Sequence, residues 1–218
     1  MKPRAATQIN HAMTLVEVLL VITVLVVVAA LLLPALAAAK RKSARIGCVN
    51  NLKQISLAYK IWEGDNSDKY PMFVSVRIGG AMEMVATGNV TQTFLVMSNE
   101  LGTSKILHCP NDTEHIQPNS FAELASSNIS YFVGVDVTNS VDPQAILSGD
   151  DNFEIDGVPA KSGLLEIPAK PLIAWTSARH KYAGYIGLND GSVQPLTQRG
   201  LRQTLQQTGV ATNRLAIP

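Results

Sequence analysis

The sequence is poor in charge, in aromatic residues and in cysteine. Of its 218 residues 16% are charged and 6% aromatic, and the formal net charge is +1. A near-neutral chain gives no electrostatic reason to expect a nucleic acid or an acidic substrate as its partner. Two cysteines, Cys48 and Cys109, allow one disulfide at most, which excludes a small scaffold held together by several disulfides.

Signatures of catalysis are absent as well. The sequence contains no Gly-x-Ser-x-Gly, no phosphate-binding loop and no His-Glu-x-x-His motif. We therefore expect a protein that is not an enzyme and that holds no resident cofactor.

One long apolar stretch dominates the N-terminal part. Between Leu15 and Leu33 the only polar residues are Glu17 and Thr23. As a helix this stretch spans about 28 Å, close to the thickness of a bilayer's hydrocarbon core. The apolar core of a cleavable signal is usually only about 7–15 residues long, so the length favours a retained anchor. Small residues at 35–39 keep a cleaved signal as the alternative.

Glu17 conflicts with this apolar setting. A carboxylate deep in a bilayer costs about 2.5–3.5 kcal/mol on insertion scales, and such residues usually have a partner. No basic residue lies within one helical turn of Glu17, so we expect its partner in another molecule or at a terminus made by cleavage.

The stretch "HAMTLVEVLL" resembles the processing site of type IV pilins and of type II secretion pseudopilins. In that family a prepilin peptidase removes a short basic leader and the new N-terminal residue is methylated. The resemblance implies a leader at 1–12, cleavage between Ala12 and Met13, and N-methylation of Met13. It also makes Glu17 the fifth mature residue, which pairs with the N-terminal amine of a neighbouring subunit. The chain departs from the family's usual glycine and phenylalanine around the cut, where it has Ala12 and Met13.

Pro34 supports the same resemblance, because it is residue 22 counted from Met13, where pilin-like helices often carry a proline. We expect it to kink the helix, since proline cannot donate the backbone hydrogen bond. The basic residues at 40–45 outnumber Lys2 and Arg4 and by the positive-inside rule favour a cytoplasmic head, whereas the resemblance implies the opposite.

After Pro34 the sequence continues as an amphipathic helix that ends near Gly64. Apolar residues recur in steps of three and four, which places them on one face. We expect a long helix at 13–63, membrane-spanning at 14–36 and amphipathic at 37–63, followed by a β-rich head at 64–218. The residues of the apolar stripe are Cys48, Leu52, Ile55, Tyr59 and Trp62.

The head reads as strands and loops, which gives the chain a pilin-like α+β fold: a long N-terminal helix packed on an antiparallel sheet. Asp190-Gly191 between two apolar runs predicts a hairpin with a type I′ turn. A terminal helix at 197–212 is expected to be interrupted at Gly200. The predicted strands are 70–76, 93–97, 105–109, 129–137, 172–177, 183–188 and a short one after the hairpin turn.

His180 followed by nine residues and Asp190-Gly191 is similar to the H-x9-DG segment of one bacterial subgroup of prepilin-like proteins. Further stretches, at 48–66, 108–112 and 146–153, resemble that subgroup too. For His180 we weigh a catalytic or metal-binding role against a structural ring bonded to the turn backbone, and favour the latter.

Two metal sites remain as alternatives to a metal-free head. Calcium could be held by Asp150, Asp151 and Asp190, although no dense acidic loop is present and Asp150–Asp156 is more simply a solvated loop. Zinc could be held by His108, Cys109 and His115 with Cys48. For the two cysteines, a disulfide is weighed against free thiols and this zinc site.

Together these features predict a structural subunit of a type II secretion or type IV pilus-like filament. Its expected partners are other pilin or pseudopilin subunits, the prepilin peptidase and methyltransferase, and an assembly platform in the inner membrane. The expected location is the bacterial inner membrane, with a single span and a periplasmic head, and then the filament. The alternative is a single-pass membrane-anchored binding protein, for example for carbohydrate, that does not polymerise.

Overall fold

A computed structural model describes residues 14–137, 143–168 and 172–218. The chain divides into two compact units, Met1–Lys42 and Ser43–Pro218. The expectations for the leader, for cleavage after Ala12 and for methylation of Met13 lie outside the described residues.

Helix α1 (Leu15–Asp65) begins in the first unit. It is long and apolar enough to cross a membrane. Every residue from 14 to 42 is exposed. The helix includes Pro34, whose missing N–H leaves the carbonyl of Ala30 without its usual helical donor.

In the second unit α1 forms part of the core of the head. The predicted apolar stripe is confirmed, because Cys48, Leu52, Ile55 and Tyr59 are fully buried and Trp62 nearly so. The helix ends at Asp65, one residue beyond Gly64, near which its end was expected. The α+β class is also confirmed: a long N-terminal helix is followed by an antiparallel β-sheet head, which is compatible with a pilin-like architecture.

Short helices, rather than strands, follow α1. The strands predicted at 70–76, 93–97 and 105–109 are wrong. Ser75 and Thr103 accept hydrogen bonds from the backbone N–H two residues later, which favours turns over extended chain. The α-helices are α2 (Met82–Val85), α3 (Thr91–Val96) and α4 (Ser98–Leu101), and the 3₁₀ helices are Pro71–Phe73, Val76–Ile78, Ser104–Leu107, Phe121–Glu123 and Ser126–Asn128.

Two antiparallel sheets complete the head. The larger has the order β5-β9-β1-β2-β7-β8 and the smaller the order β4-β3-β6. Trp175 lies so close to Gly184 that a Cβ there would come within 2.5 Å of its ring, and this contact joins β6 to β7. The strands are β1 (Tyr131–Gly134), β2 (Ile146–Asp150), β3 (Phe153–Ile155), β4 (Val158–Pro159), β5 (Gly163–Pro168), β6 (Ile173–Trp175), β7 (Ala183–Leu188), β8 (Val193–Thr197) and β9 (Thr212–Ile217).

The β7–β8 hairpin is confirmed, but its predicted turn type is wrong. Gly191 has φ +81°, whereas Asp190 is not among the residues with positive φ, and Leu188 N–H donates to the carbonyl of Ser192. This is a three-residue loop with glycine in the left-handed position. In the hairpin that joins β3 to β4, both connecting residues, Asp156 and Gly157, have positive φ.

The C-terminal part differs from its prediction in two respects. Helix α5 (Gln198–Gln207) is not interrupted at Gly200, because Gly200 lies in its first turn and donates to the hydroxyl of Thr197, the N-cap. The last segment forms β9 between β5 and β1. A central strand there was not predicted.

Candidate functional site

The start of α1 has a reciprocal cap. The Thr14 N–H donates to Glu17 Oε2 at 2.8 Å, and the Glu17 N–H donates to Thr14 Oγ1 at 3.2 Å. This Thr-x-x-Glu arrangement satisfies backbone donors that the helix leaves free. Glu17 therefore has a partner within its own chain, which the sequence reasoning missed. Thr14 supplies hydrogen-bond donors but no positive charge, so the charge of Glu17 stays uncompensated by this contact.

In the head, Cys48 and Cys109 form a disulfide that joins α1 to the segment after the 3₁₀ helix Ser104–Leu107, across 61 residues. Both cysteines are fully buried. Closing a loop of this length is worth about 4 kcal/mol in the chain-entropy description of disulfides. The bond fixes the segment at 109–115 against the helix.

His180 lies directly beside this disulfide. Its Nε2 is 3.4 Å from Cys109 Sγ and 3.4 Å from Asp150 Oδ2, and its Nδ1 is 3.1 Å from Asn111 Nδ2. The ring also meets Tyr185 edge-on, with 4.9 Å between ring centroids. The sequence favoured a ring bonded to the turn backbone, whereas the contacts found among the described residues are with side chains. We call Cys48, Cys109, Asn111, Asp150 and His180 the disulfide site.

A buried charge cluster adjoins the disulfide site. Arg179 Nη2 lies 2.8 Å from Asp112 Oδ2 and forms an ion pair with Asp151, while its Nη1 donates to the carbonyl of Ser130 at 2.8 Å. His115 Nδ1 is 2.8 Å from Asp112 Oδ2. The side chain of Arg179 is 1% exposed and that of Asp112 is fully buried. We call Asp112, His115, Ser130, Asp151 and Arg179 the Arg179 cluster.

The surroundings shift the pKa values of these groups in opposite directions. Burial would raise the pKa of Asp112, but the hydrogen bond from His115 and the charge of Arg179 outweigh it and hold that pKa well below its usual range. The hydrogen bond to Asp112 raises the pKa of His115 despite its burial. Burial raises the pKa of Asp151 to about 6, against the charge of Arg179.

The disulfide site also perturbs its ionisable groups. Burial raises the pKa of Asp150 to about 7, opposed by Arg179 and by the N–H of Tyr185. Burial lowers the pKa of His180 to about 4, helped by the charges of Arg179 and Arg45. At neutral pH His180 is therefore uncharged, and its Nε2 can act as a hydrogen-bond donor or, in the other tautomer, as a ligand.

The H-x9-DG segment does not form one site. His180 lies beside the disulfide, whereas Asp190 lies at the far end of β7, where its N–H donates to the carbonyl of Pro143 and its Oδ1 accepts from Ser192. Six residues of β7 separate the two ends by about 20 Å. The preceding residue, Asn189, accepts a hydrogen bond from the Tyr70 hydroxyl at 2.8 Å. The segment therefore anchors both ends of the hairpin's first strand.

The residues of the predicted metal sites are distributed differently. Asp150 is fully buried and the Asp151 side chain is only 7% exposed, so they do not lie in a solvated loop; Asp190 is at the opposite end of β7, so the calcium set is not brought together. For zinc, His115 is bonded to Asp112, and His108 Nε2 contacts the carbonyl of His115. Within the described ranges, the one group of potential metal ligands is Cys48, Cys109 and His180.

Sequence reasoning missed Arg179 and Asp112 entirely. Both lie next to residues that it did single out, in "SARHKY" and "HCPNDTEH". This adjacency in sequence was the signal that could have identified Arg179 and Asp112.

Comparisons of the chain with protein-family models, with curated proteins and with solved structures find no match.

Replacing Arg179 with methionine should lower the free energy of unfolding of the head by about 3–5 kcal/mol, because Asp112 and Asp151 would keep their burial and lose their counter-charge. Chemical denaturation of the full chain in detergent measures this. The matched control is Arg199→Met, which removes an exposed arginine and should change stability by no more than about 0.5 kcal/mol. Equal effects of the two substitutions would contradict the buried pairing.

The stability that His115 contributes should depend on pH. Its pKa is raised in the folded state, so the contribution is complete below about pH 6.5 and is lost as the pH rises through the folded value. His115→Gln should therefore destabilise the head by about 1–3 kcal/mol at pH 5.5 and by less at pH 8.5. An Asp112→Asn background should flatten this pH dependence, because Asp112 is the main cause of the shift. A pH-independent effect in the native background would refute this role.

Proposed function

We propose that this chain is a pilin-like structural subunit of a type II secretion or type IV pilus-like filament. In this proposal a prepilin peptidase cleaves between Ala12 and Met13, and Met13 is N-methylated. The membrane stores the processed subunit until an inner-membrane assembly platform extracts it into a filament with other subunits of the same kind.

The observation that carries the proposal is the division of α1 into two surfaces. From Leu15 to Ala39 the helix is almost wholly apolar and every residue is exposed, whereas from Cys48 onward one face is buried in the head. An uncovered apolar helix of this length needs a bilayer or other helices around it. A subunit that moves from the membrane into a filament would use the same apolar surface of α1 first against lipid and then against neighbouring helices.

Glu17 supports a role in assembly beyond anchoring. Its local cap with Thr14 supplies donors without charge, so a neighbour's N-terminal amine remains a favourable partner in a low-dielectric helix bundle. The buried disulfide supports a head outside the cytoplasm, because disulfides persist in oxidising compartments. This argument favours the periplasmic head over the orientation that the basic residues at 40–45 indicate.

The alternative, an anchored binding protein that does not polymerise, also has one observation in its favour. A cavity of about 290 Å³ in the head is lined by Asp151, Asn152 and Arg179 among others. Neither polar atom of the Asn152 amide has a hydrogen-bond partner, although both are buried. Such a site could take a polar ligand, for example a carbohydrate hydroxyl, which both donates and accepts hydrogen bonds.

Glu17→Gln separates the two functions of Glu17. Glutamine can replace glutamate in a Thr-x-x-Glu cap, so this variant keeps the cap and loses the charge. In a bacterium with a prepilin peptidase and a pilus assembly system, we expect Glu17→Gln and Glu17→Ala both to reduce the filament fraction at least about tenfold, the effect of a lost pairing of ~1.4 kcal/mol or more. Electron microscopy and immunoblots of the sheared filament fraction measure this.

Thr14→Ala is the matched control, because it removes the hydroxyl of the cap and keeps the charge. It should still assemble, with all variants present in equal amounts in the membrane fraction. If Glu17→Gln assembles normally while Thr14→Ala does not, Glu17 acts as a helix cap only. If the native chain never leaves the membrane fraction, the anchored binding protein is the better account.

A further inference from the structure

We propose that the disulfide site is also a metal site: when the Cys48–Cys109 bond is reduced, Cys48, Cys109, His180 and Asp150 bind one Zn²⁺. The bond and the metal would then be alternative ways of joining α1 to the 109–115 segment. This inference does not depend on the filament proposal.

Three potential ligand atoms lie close together, and the two sulfur atoms, which are bonded to each other, separate when the disulfide is reduced. One Nε2 atom and two sulfur atoms, those of His180, Cys48 and Cys109, lie within 4.8 Å of one another. Tetrahedral coordination at the usual zinc bond lengths places neighbouring ligand atoms about 3.3–3.8 Å apart. The 3.4 Å between His180 Nε2 and Cys109 Sγ falls in this range without any rearrangement.

Asp150 is the candidate for the fourth ligand; it lies outside the group of three whose ligand atoms are all within 4.8 Å of one another, so its carboxylate has to move toward the sulfur atoms. Its Oδ2 lies 3.4 Å from the same His180 Nε2, which is the edge expected between a nitrogen and an oxygen ligand. Its Oδ2 also accepts the Tyr185 N–H, while its Oδ1 is buried with no hydrogen-bond partner. A buried oxygen without a partner is costly, and a metal would satisfy it.

Asn111 can orient the histidine for this role. Zinc binding through Nε2 requires the proton of the ring to be on Nδ1, and a second residue usually accepts that proton. The side-chain amide of Asn111 lies 3.1 Å from Nδ1. Rotation of the amide by half a turn presents its oxygen to that N–H, because the two ends of an amide occupy almost the same space.

The burial of the ligands indicates a closed, structural type of site. Cys48, Cys109 and Asp150 are fully buried and His180 is 2% exposed, which leaves no open position for a substrate. The proposed site differs from a zinc site built on His108 and His115, whose rings contact the backbone carbonyl of His115 and the carboxylate of Asp112.

The conversion is balanced with a dithiol as the reductant. The dithiol gives two electrons and two protons, becomes a disulfide, and leaves Cys48 and Cys109 as thiols. Binding of Zn²⁺ then displaces one proton from each thiol into solvent, while the proton on Nε2 of neutral His180 is exchanged for one on Nδ1. In the reverse step a small-molecule disulfide takes two electrons from the two thiolates and, with two protons from solvent, becomes a dithiol; the Cys48–Cys109 bond re-forms and the metal is released.

The test uses the full chain in detergent micelles and Co²⁺ as a spectroscopic substitute for Zn²⁺. The oxidised chain and the chain reduced with a dithiol, which is then removed under argon, are titrated in parallel. We expect one Co²⁺ per reduced chain with a thiolate-to-cobalt charge-transfer band and tetrahedral d–d absorption, both displaced by Zn²⁺. The oxidised chain should show neither band. Absence of these bands in the reduced chain, or equal binding by both forms, would overturn the proposal.

Variants then identify the ligands, each first purified as the oxidised, folded protein. His180→Ala should weaken binding more than the roughly 10–100-fold expected for Asn111→Leu, which removes a supporting residue. Asp150→Asn should also weaken it and change the d–d spectrum. The matched control is His108→Ala, which should leave the affinity unchanged. If this control abolishes binding while His180→Ala does not, the assignment of ligands is wrong.

Discussion

One continuous helix has to serve two environments, and the rest of the structure depends on this constraint. The backbone hydrogen bonds of α1 run from Leu15 to Asp65, while the side chains change from exposed and apolar to an amphipathic face buried in the head. Backbone pairing within the helix makes the first part compatible with lipid or with a bundle of other helices. The second part supplies the stripe on which the head is built. A break in the helix between its apolar part and its amphipathic part would disconnect the head from the lipid or helix bundle that surrounds the apolar part.

The Cys48–Cys109 disulfide links α1 covalently to the rest of the head. Cys48 belongs to the buried stripe, and Cys109 begins the segment that carries Asn111, Asp112 and His115. His180 and Arg179 meet this segment from the loop before β7. The loop is placed by β6 and β7, which Trp175 and Gly184 bring into close contact. The buried polar residues of the head therefore surround the disulfide that attaches α1 to the 109–115 segment.

The Arg179 cluster carries a large desolvation cost, because its charged side chains are buried in the interior of the head. A well-packed apolar core of equal volume is often as stable or more so, whereas removal of one partner from a buried pair is strongly destabilising. Arg179 bonds to two carboxylates and to the carbonyl of Ser130, so it fixes three backbone segments at once. We infer that the cluster gives the long loops of this head a single arrangement, which a loosely packed apolar interior would define less well.

Local patterns predicted the parts of the fold that depend on local forces. The stripe of α1, the strands around 173–175 and 183–188, and the Asp190-Gly191 hairpin follow from periodicity and turn chemistry. The strands predicted before residue 110 are wrong because buried apolar runs suit short helices equally well. The disulfide site and the Arg179 cluster could not be predicted from local patterns for a different reason. His115 and Arg179 are 64 residues apart, and Cys109 and His180 are 71 apart, so only the tertiary fold brings them together.

The N-terminus of the membrane-extracted protein tests the central claim most directly, and intact mass with peptide mass spectrometry identifies it. The account predicts a chain that begins at Met13 and carries one N-methyl group, despite alanine at position 12. A chain that still begins at Met1 would contradict it and would favour an unprocessed anchor. A start after the small residues at 35–39 would contradict it as well, because the exported protein would then lack Glu17.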